Sequence, residues 1–74
     1  MRYYFRLRDL REDKDKVQKE IAAILNTSQK QYSRWETGER EIPVHHVIAL
    51  ADFYQTSTDY ILGRTDDPAP ILKK

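Results

Sequence analysis

The chain has 74 residues, no cysteine, one tryptophan and a formal net charge of +1. That length makes one small domain, and the lack of cysteine excludes disulfides, thiolate zinc sites and thiol catalysis. The hydrophobic share is 39% and the charged share 34%. No apolar run nears the ~20 residues that span a bilayer, and the N-terminus from Met1 to Arg6 lacks the apolar core of a signal peptide. The expectation is a soluble, cytoplasmic protein without a membrane segment. Judged by net charge alone, nucleic acid ranks below a generic binding partner. With two glycines and three prolines, the chain has few residues for tight hairpin turns, which disfavours an all-β fold.

Five helical stretches follow in chain order, with no convincing strand. The first covers Phe5 to Asp13, with Leu7 and Leu10 on one face. Asp13 to Lys16 is a polar break. The second covers Val17 to Leu25, where Val17, Ile21, Ile24 and Leu25 recur at helical spacing and Ala22 borders the stripe. Asn26 suits the left-handed position after a helix. Ser28 and Gln31 form a capping box that opens the third stretch, which runs to Glu36 or Thr37 and stops at Gly38. Pro43 fits the first turn of a fourth helix, which buries Val47, Leu50, Ala51 and Tyr54. Ser57 caps a short fifth helix with Asp59 near its positive end and Gly63 at its stop; Tyr60, Ile61 and Leu62 supply its apolar side. From Arg64 the pattern ends, and residues 64–74 read as a flexible tail in which Ile71 and Leu72 stand out as apolar.

The link of Asn26 and Thr27 is so short that the second and third helices must pack at a steep angle, with Ala22 small enough for the crossing. At ~100° per residue, Tyr32 and Trp35 of the third helix face the core with Ile21 and Leu25. Gln29, Lys30, Ser33 and Arg34 share the opposite side within roughly 140°. That face carries no acid and no large apolar residue. An amide, an ammonium, a hydroxyl and a guanidinium are the groups that pair with base edges in a major groove, although a solvated helix face has the same look.

Five stretches carry a resemblance: Gln18-Lys-Glu-Ile-Ala22; Ser28-Gln-Lys-Gln-Tyr-Ser-Arg-Trp-Glu36 with Gly38; Ile42-Pro43; Leu50-Ala-Asp-Phe-Tyr54; and Ser57-Thr-Asp-Tyr-Ile-Leu-Gly63. In this register, residues 7–63 resemble the phage repressor and Cro-type helix-turn-helix family of bacterial regulators, also called the xenobiotic-response-element family. The resemblance implies an all-α, five-helix bundle of the lambda-repressor-like type, with a DNA-binding domain over residues 1–63 and its core at 7–63. It implies base contacts from Gln29, Lys30 and Arg34, with Ser33 as a lesser one. It implies DNA phosphate contacts from Gln18, Ser28, Thr37 and Arg40, and bracing of the recognition helix by Gln18. Arg11 and Glu36 match a structural pair that ties the first helix to the end of the third. Taken by itself, such a pair could be an exposed one worth ~0–1 kcal/mol.

The chain departs from the family pattern at two places. Asn26 stands where the family usually has Gly. Lys16-Val17 replaces the usual Leu-Thr, so Asp15 is expected to cap the second helix one turn earlier. A core Tyr32 also needs a partner for its hydroxyl, and the sequence offers no candidate.

The implied function is sequence-specific binding of double-stranded DNA as a transcriptional repressor, as a homodimer on a near-palindromic operator. Phe53, Tyr60 and Ile61 are candidates for the dimer contact, and the Tyr3, Tyr4 and Phe5 cluster either packs on the fifth helix or joins that contact. The alternative is a DNA-binding antitoxin or other protein-interaction module that holds a protein through the tail or the fourth and fifth helices. No carboxylate is paired with a nucleophile, so no enzyme is expected. His45 and His46 point ~100° apart on a helix and cannot chelate one metal, so neither metal nor cofactor is expected. Trp35 could serve as a base-stacking platform, but its spacing with Tyr32 marks it as a core anchor. Charge is uneven along the chain. Residues 1–19 carry seven Lys or Arg against four acids, and residues 20–41 and 42–74 each carry three against four. A small net charge is therefore no argument against DNA.

Overall fold

The computed structural model describes residues 5–70, with side chains from residue 6 onward. It contains α1 (Phe5–Asp13), α2 (Gln18–Ile24), α3 (Gln29–Thr37), α4 (Val44–Tyr54) and α5 (Thr58–Ile61), and no strand among the described residues. The five-helix, all-α expectation is met. The cluster Tyr3, Tyr4 and Phe5 and the apolar pair Ile71 and Leu72 lie outside the described side chains.

One core forms from all five helices. Leu7 of α1, Ile21 and Ala22 of α2, Tyr32 and Trp35 of α3, Val47, Leu50 and Ala51 of α4 and Ile61 of α5 are buried together, joined by Leu25 and Ile42 from the connections. The fourth-helix stripe and the inward side of α3 are those expected from helical periodicity. Leu10 and Phe53 are partly buried against this core.

The same local device ends four helices. The amide of Lys16 donates to the Arg11 carbonyl, Thr27 to Ala22, Thr56 to Ala51 and Arg64 to Asp59. In each case the residue before the donor is left-handed: Asp15 (φ 55°), Asn26 (φ 59°), Gln55 (φ 57°) and Gly63 (φ 78°). This six-to-one closure satisfies carbonyls that a helix end would otherwise leave unpaired. In the link after α2 it also sets how the chain enters α3, whose N-cap Ser28 accepts from the Gln31 amide at 3.1 Å.

Several expectations need correction. Asp15 does not cap α2, because it is the left-handed residue that closes α1. Val17 is the N-cap residue of α2, and its amide donates to Glu20 Oε1 at 2.9 Å. Val17 and Ile24 also leave the buried stripe, at 58% and 45% exposed. A seven-residue helix turns a narrow face inward, and Ile21 and Ala22 fill it, with Leu25 just past its end. Pro43 precedes α4 as its N-cap in extended conformation rather than lying in its first turn. Leu62 is exposed beyond the end of α5, while Ile61 is spent in the core and is therefore unavailable for a subunit contact.

After Gly63 the chain folds back on the bundle. Arg6 donates through Nη1 to the carbonyls of Tyr60, at 3.0 Å, and of Thr65. Its Nη2 reaches Asp66 Oδ1, and its guanidinium lies 4.2 Å from the centre of the Tyr60 ring. Thr56 Oγ1 donates to the Pro68 carbonyl at 2.6 Å.

Candidate nucleic-acid interface

The site is built from the start of α2, the outer side of α3 and the turn that follows it. Gln18, Gln29, Lys30, Ser33 and Arg34 line one shallow hollow, together with Glu39. All four residues expected to meet bases are thus on one surface. Of those expected to meet phosphates, Gln18 belongs to the hollow itself. Ser28, Thr37 and Arg40 are exposed, at the start of α3, at its end and in the turn beyond it.

That surface is held by a buried ionic hub beneath it. Glu36 is 4% exposed. Arg11 donates to it twice, Nε to Oε2 at 2.9 Å and Nη2 to Oε1 at 3.0 Å. Arg11 Nη1 also donates to the Lys16 carbonyl at 2.9 Å. Gln18 Nε2 donates to Glu36 Oε1 at 3.0 Å. One carboxylate therefore ties together α1, the link into α2, the first residue of α2 and the end of α3. Burial pushes the Glu36 carboxyl up, but the hydrogen bonds from Arg11 and Gln18 outweigh it and hold it below the usual carboxylate range. The pair is not the weak surface contact that Arg and Glu often make, because its geometry is bidentate and it is largely out of water. The bracing expected of Gln18 is present in this contact. One of the two N–H groups of its amide is engaged there, so the side chain is fixed at the rim of the hollow.

Tyr32 and Tyr54 lie in the same interior. Their hydroxyls are buried, that of Tyr32 beside the Glu36 carboxylate. Burial raises both phenols well above their usual range, and the Glu36 carboxylate adds to the rise at Tyr32. Trp35 is buried, as expected of a core anchor, and is no stacking platform. His46 is partly covered. Its ring lies 4.9 Å from that of Trp35 and 4.1 Å from that of His45. Burial, and then His45, hold its imidazole below the ordinary range.

The outer face departs from the sequence expectation in one respect. The helix face itself carries no acid, yet Glu39 of the following turn stands 4.0 Å from Arg34 Nε. Periodicity along α3 could not reveal it, because Glu39 belongs to the following turn. Gly38 takes a left-handed conformation (φ 83°) that other residues adopt only with strain, and the Arg40 amide then bonds to the Arg34 carbonyl at 3.1 Å. The turn is folded back on the helix by that bond, with Glu39 beside the guanidinium. The Thr37 hydroxyl also donates to the Arg34 carbonyl, at 3.3 Å.

Comparison with known proteins agrees with the all-helical fold. A family model described as helix-turn-helix matches residues 7–61. The chain is 33% identical over 72 residues to the uncharacterized HTH-type transcriptional regulator YobD of Bacillus subtilis (strain 168), covering 97% of this chain and 64% of that protein. It is 33% identical over 61 residues to the HTH-type transcriptional regulator ImmR of the same organism, covering 82% of this chain and 48% of that protein. The chain thus spans about half to two thirds of the length of these relatives. No solved structure matches significantly. Among the described residues no helix is long and apolar enough to cross a membrane. The chain belongs to the Cro/C1-type helix-turn-helix family of transcription regulators, a DNA-binding family.

Proposed function

We propose that this chain binds double-stranded DNA sequence-specifically and represses transcription, with α3 lying in the major groove. The observation that carries the reading is the hollow that unites Gln18, Gln29, Lys30, Ser33 and Arg34 over a rigid hub at Glu36. Gln29, Lys30 and Arg34 meet base edges, the amide pairing with adenine and the cations with guanine, and Ser33 assists. Gln18, Ser28, Thr37 and Arg40 hold phosphates on either side of the groove and fix the register of α3. Repression needs nothing beyond occupancy of a promoter, which a small cytoplasmic domain achieves by excluding other proteins. The domain acts as a homodimer, its two recognition helices about 34–36 Å apart on a near-palindromic operator. Phe53 and Tyr60, both only partly buried, remain the residues offered for that contact.

Selection of bound sites from a random duplex pool tests the reading. The expected result is an enriched, two-fold symmetric sequence with half-sites one helical turn apart. Enrichment of no sequence would overturn it.

A second reading, an antitoxin or other protein-binding regulator, draws on one observation. Val44 and Ile48, one turn apart on α4, are 70% and 50% exposed. A stoichiometric protein retained on purification, and released by Ile48→Asp, would favour it.

A further inference from the structure

We propose that Glu39 is a specificity-determining residue, which holds Arg34 ready for a base edge and opposes its capture by phosphate. The inference rests on the DNA-binding reading of the hollow. Three observations meet here. Glu39 and Arg34 line the same hollow, with the carboxylate 4.0 Å from the guanidinium Nε. The Arg34 side chain is only one third exposed, whereas that of Glu39 is 65% exposed. The backbone bond from the Arg40 amide to the Arg34 carbonyl keeps the turn against the helix, so the carboxylate is held near its partner by the fold as well as by charge.

The chemistry distinguishes two places for the guanidinium. In a base-bound state Arg34 presents a planar fork to a guanine edge, which is uncharged, and Glu39 can remain at its flank. In a phosphate-bound state the same fork would bring a phosphate anion close to the Glu39 carboxylate. Like charges repel, so the carboxylate penalises the second state more than the first. Phosphate contacts carry no sequence information and dominate non-specific binding. Glu39 therefore weakens binding to arbitrary DNA more than binding to the cognate site, which is specificity gained by repulsion. Glu39 acts through Arg34 and is a positioning residue.

The test compares the wild-type chain, Glu39→Gln, Arg34→Ala and the double variant on the selected site and on a scrambled duplex, over a range of salt. Glu39→Gln is expected to tighten binding to the scrambled duplex by roughly two- to fivefold, the range that an exposed ion pair allows. Discrimination should fall by a similar factor. The salt slope on the scrambled duplex should steepen by up to about one, as one more phosphate is neutralised. In the Arg34→Ala background the same change should leave discrimination unaltered. Melting temperatures of wild type and Glu39→Gln should agree, which separates the effect from folding. Unchanged discrimination in Glu39→Gln overturns the inference while the DNA-binding reading stands. An equal effect with and without Arg34 also overturns it, by making Glu39 act on DNA directly. Failure of the wild type to select any site removes the DNA-binding reading, and this inference with it.

Discussion

Glu36 joins α1, α2 and α3 through one carboxylate. It lies at the negative end of α3, where a carboxylate is disfavoured unless a cation compensates, and Arg11 and Gln18 supply three donors to it. Glu36→Gln would leave the Arg11 guanidinium without its counter-ion, at a cost of about 3–5 kcal/mol. A chain of this length has a stability of about 4–11 kcal/mol, so urea denaturation should show a much lower midpoint or no folded baseline. The pH dependence has a definite sign. The folded Glu36 carboxyl is held below its ordinary range, so its contribution is present above the unfolded pKa of about 4.3 and is lost as pH falls through the lower folded value. Denaturation at stepped pH should show stability declining below about pH 4.5, less steeply in Glu36→Gln. At the outer face, Arg34→Ala should cost about 1–3 kcal/mol on the selected site and little on random DNA. Equal losses on both, in a gel-shift or anisotropy titration, would move Arg34 from a base to a phosphate.

At the scale of elements, the short helices depend on their ends. Left-handed residues close all five helices, and only α3 and α5 use glycine. Asn tolerates that conformation, but Gln55 has no such excuse and carries strain of about 1–2 kcal/mol. Gln55→Gly should relieve part of it, against the greater freedom of glycine in the unfolded chain. The net expectation is a gain of about 0.5–1 kcal/mol, visible as a higher melting temperature. A lower melting temperature would mean that the Gln55 side chain makes a contact worth more than its strain. The caps at Ser28 and Ser57, the left-handed Asn26 and the stop at Gly38 were all legible in the sequence, because each is a local interaction spanning a few residues. The entry to α2 was not. Asp15 has the chemistry of a cap, but the closure of α1 takes it first, and sequence alone does not rank two uses of one residue.

Across the whole molecule, Arg6 works as the staple. It joins the first helix to the last and to the segment beyond it, through carbonyls and a carboxylate 54 to 60 residues away. Its side chain is largely buried, at 12% exposed, while Asp66 is almost fully exposed. The value of the staple therefore lies in the carbonyl contacts and the Tyr60 ring rather than in the ion pair. Arg6→Ala should cost about 1–3 kcal/mol, and amide hydrogen exchange should quicken first in α5 and the residues after it. Uniformly faster exchange along the chain would show that Arg6 holds the fold as a whole rather than its closing end.

Residue pattern alone gives the five helices of the described residues, most of their bounds, the inward side of α3 and α4 and the polar outer face from Gln29 to Arg34. Hydrophobic period and helix caps are short-range, so neighbouring residues suffice to specify them. Which charges meet depends on how the helices pack. Arg11 and Glu36 are 25 residues apart, and the resemblance paired them, but their burial and the added hold on Gln18 follow from how α1, α2 and α3 converge. Glu39 reaches Arg34 only because a left-handed Gly38 and one backbone bond fold the turn back. Val17 and Ile24 have the right period for a core, yet they stay in water because the inner side of so short a helix is already full. Contacts of this kind depend on the space that other elements leave, and a linear pattern of residue types does not carry that information.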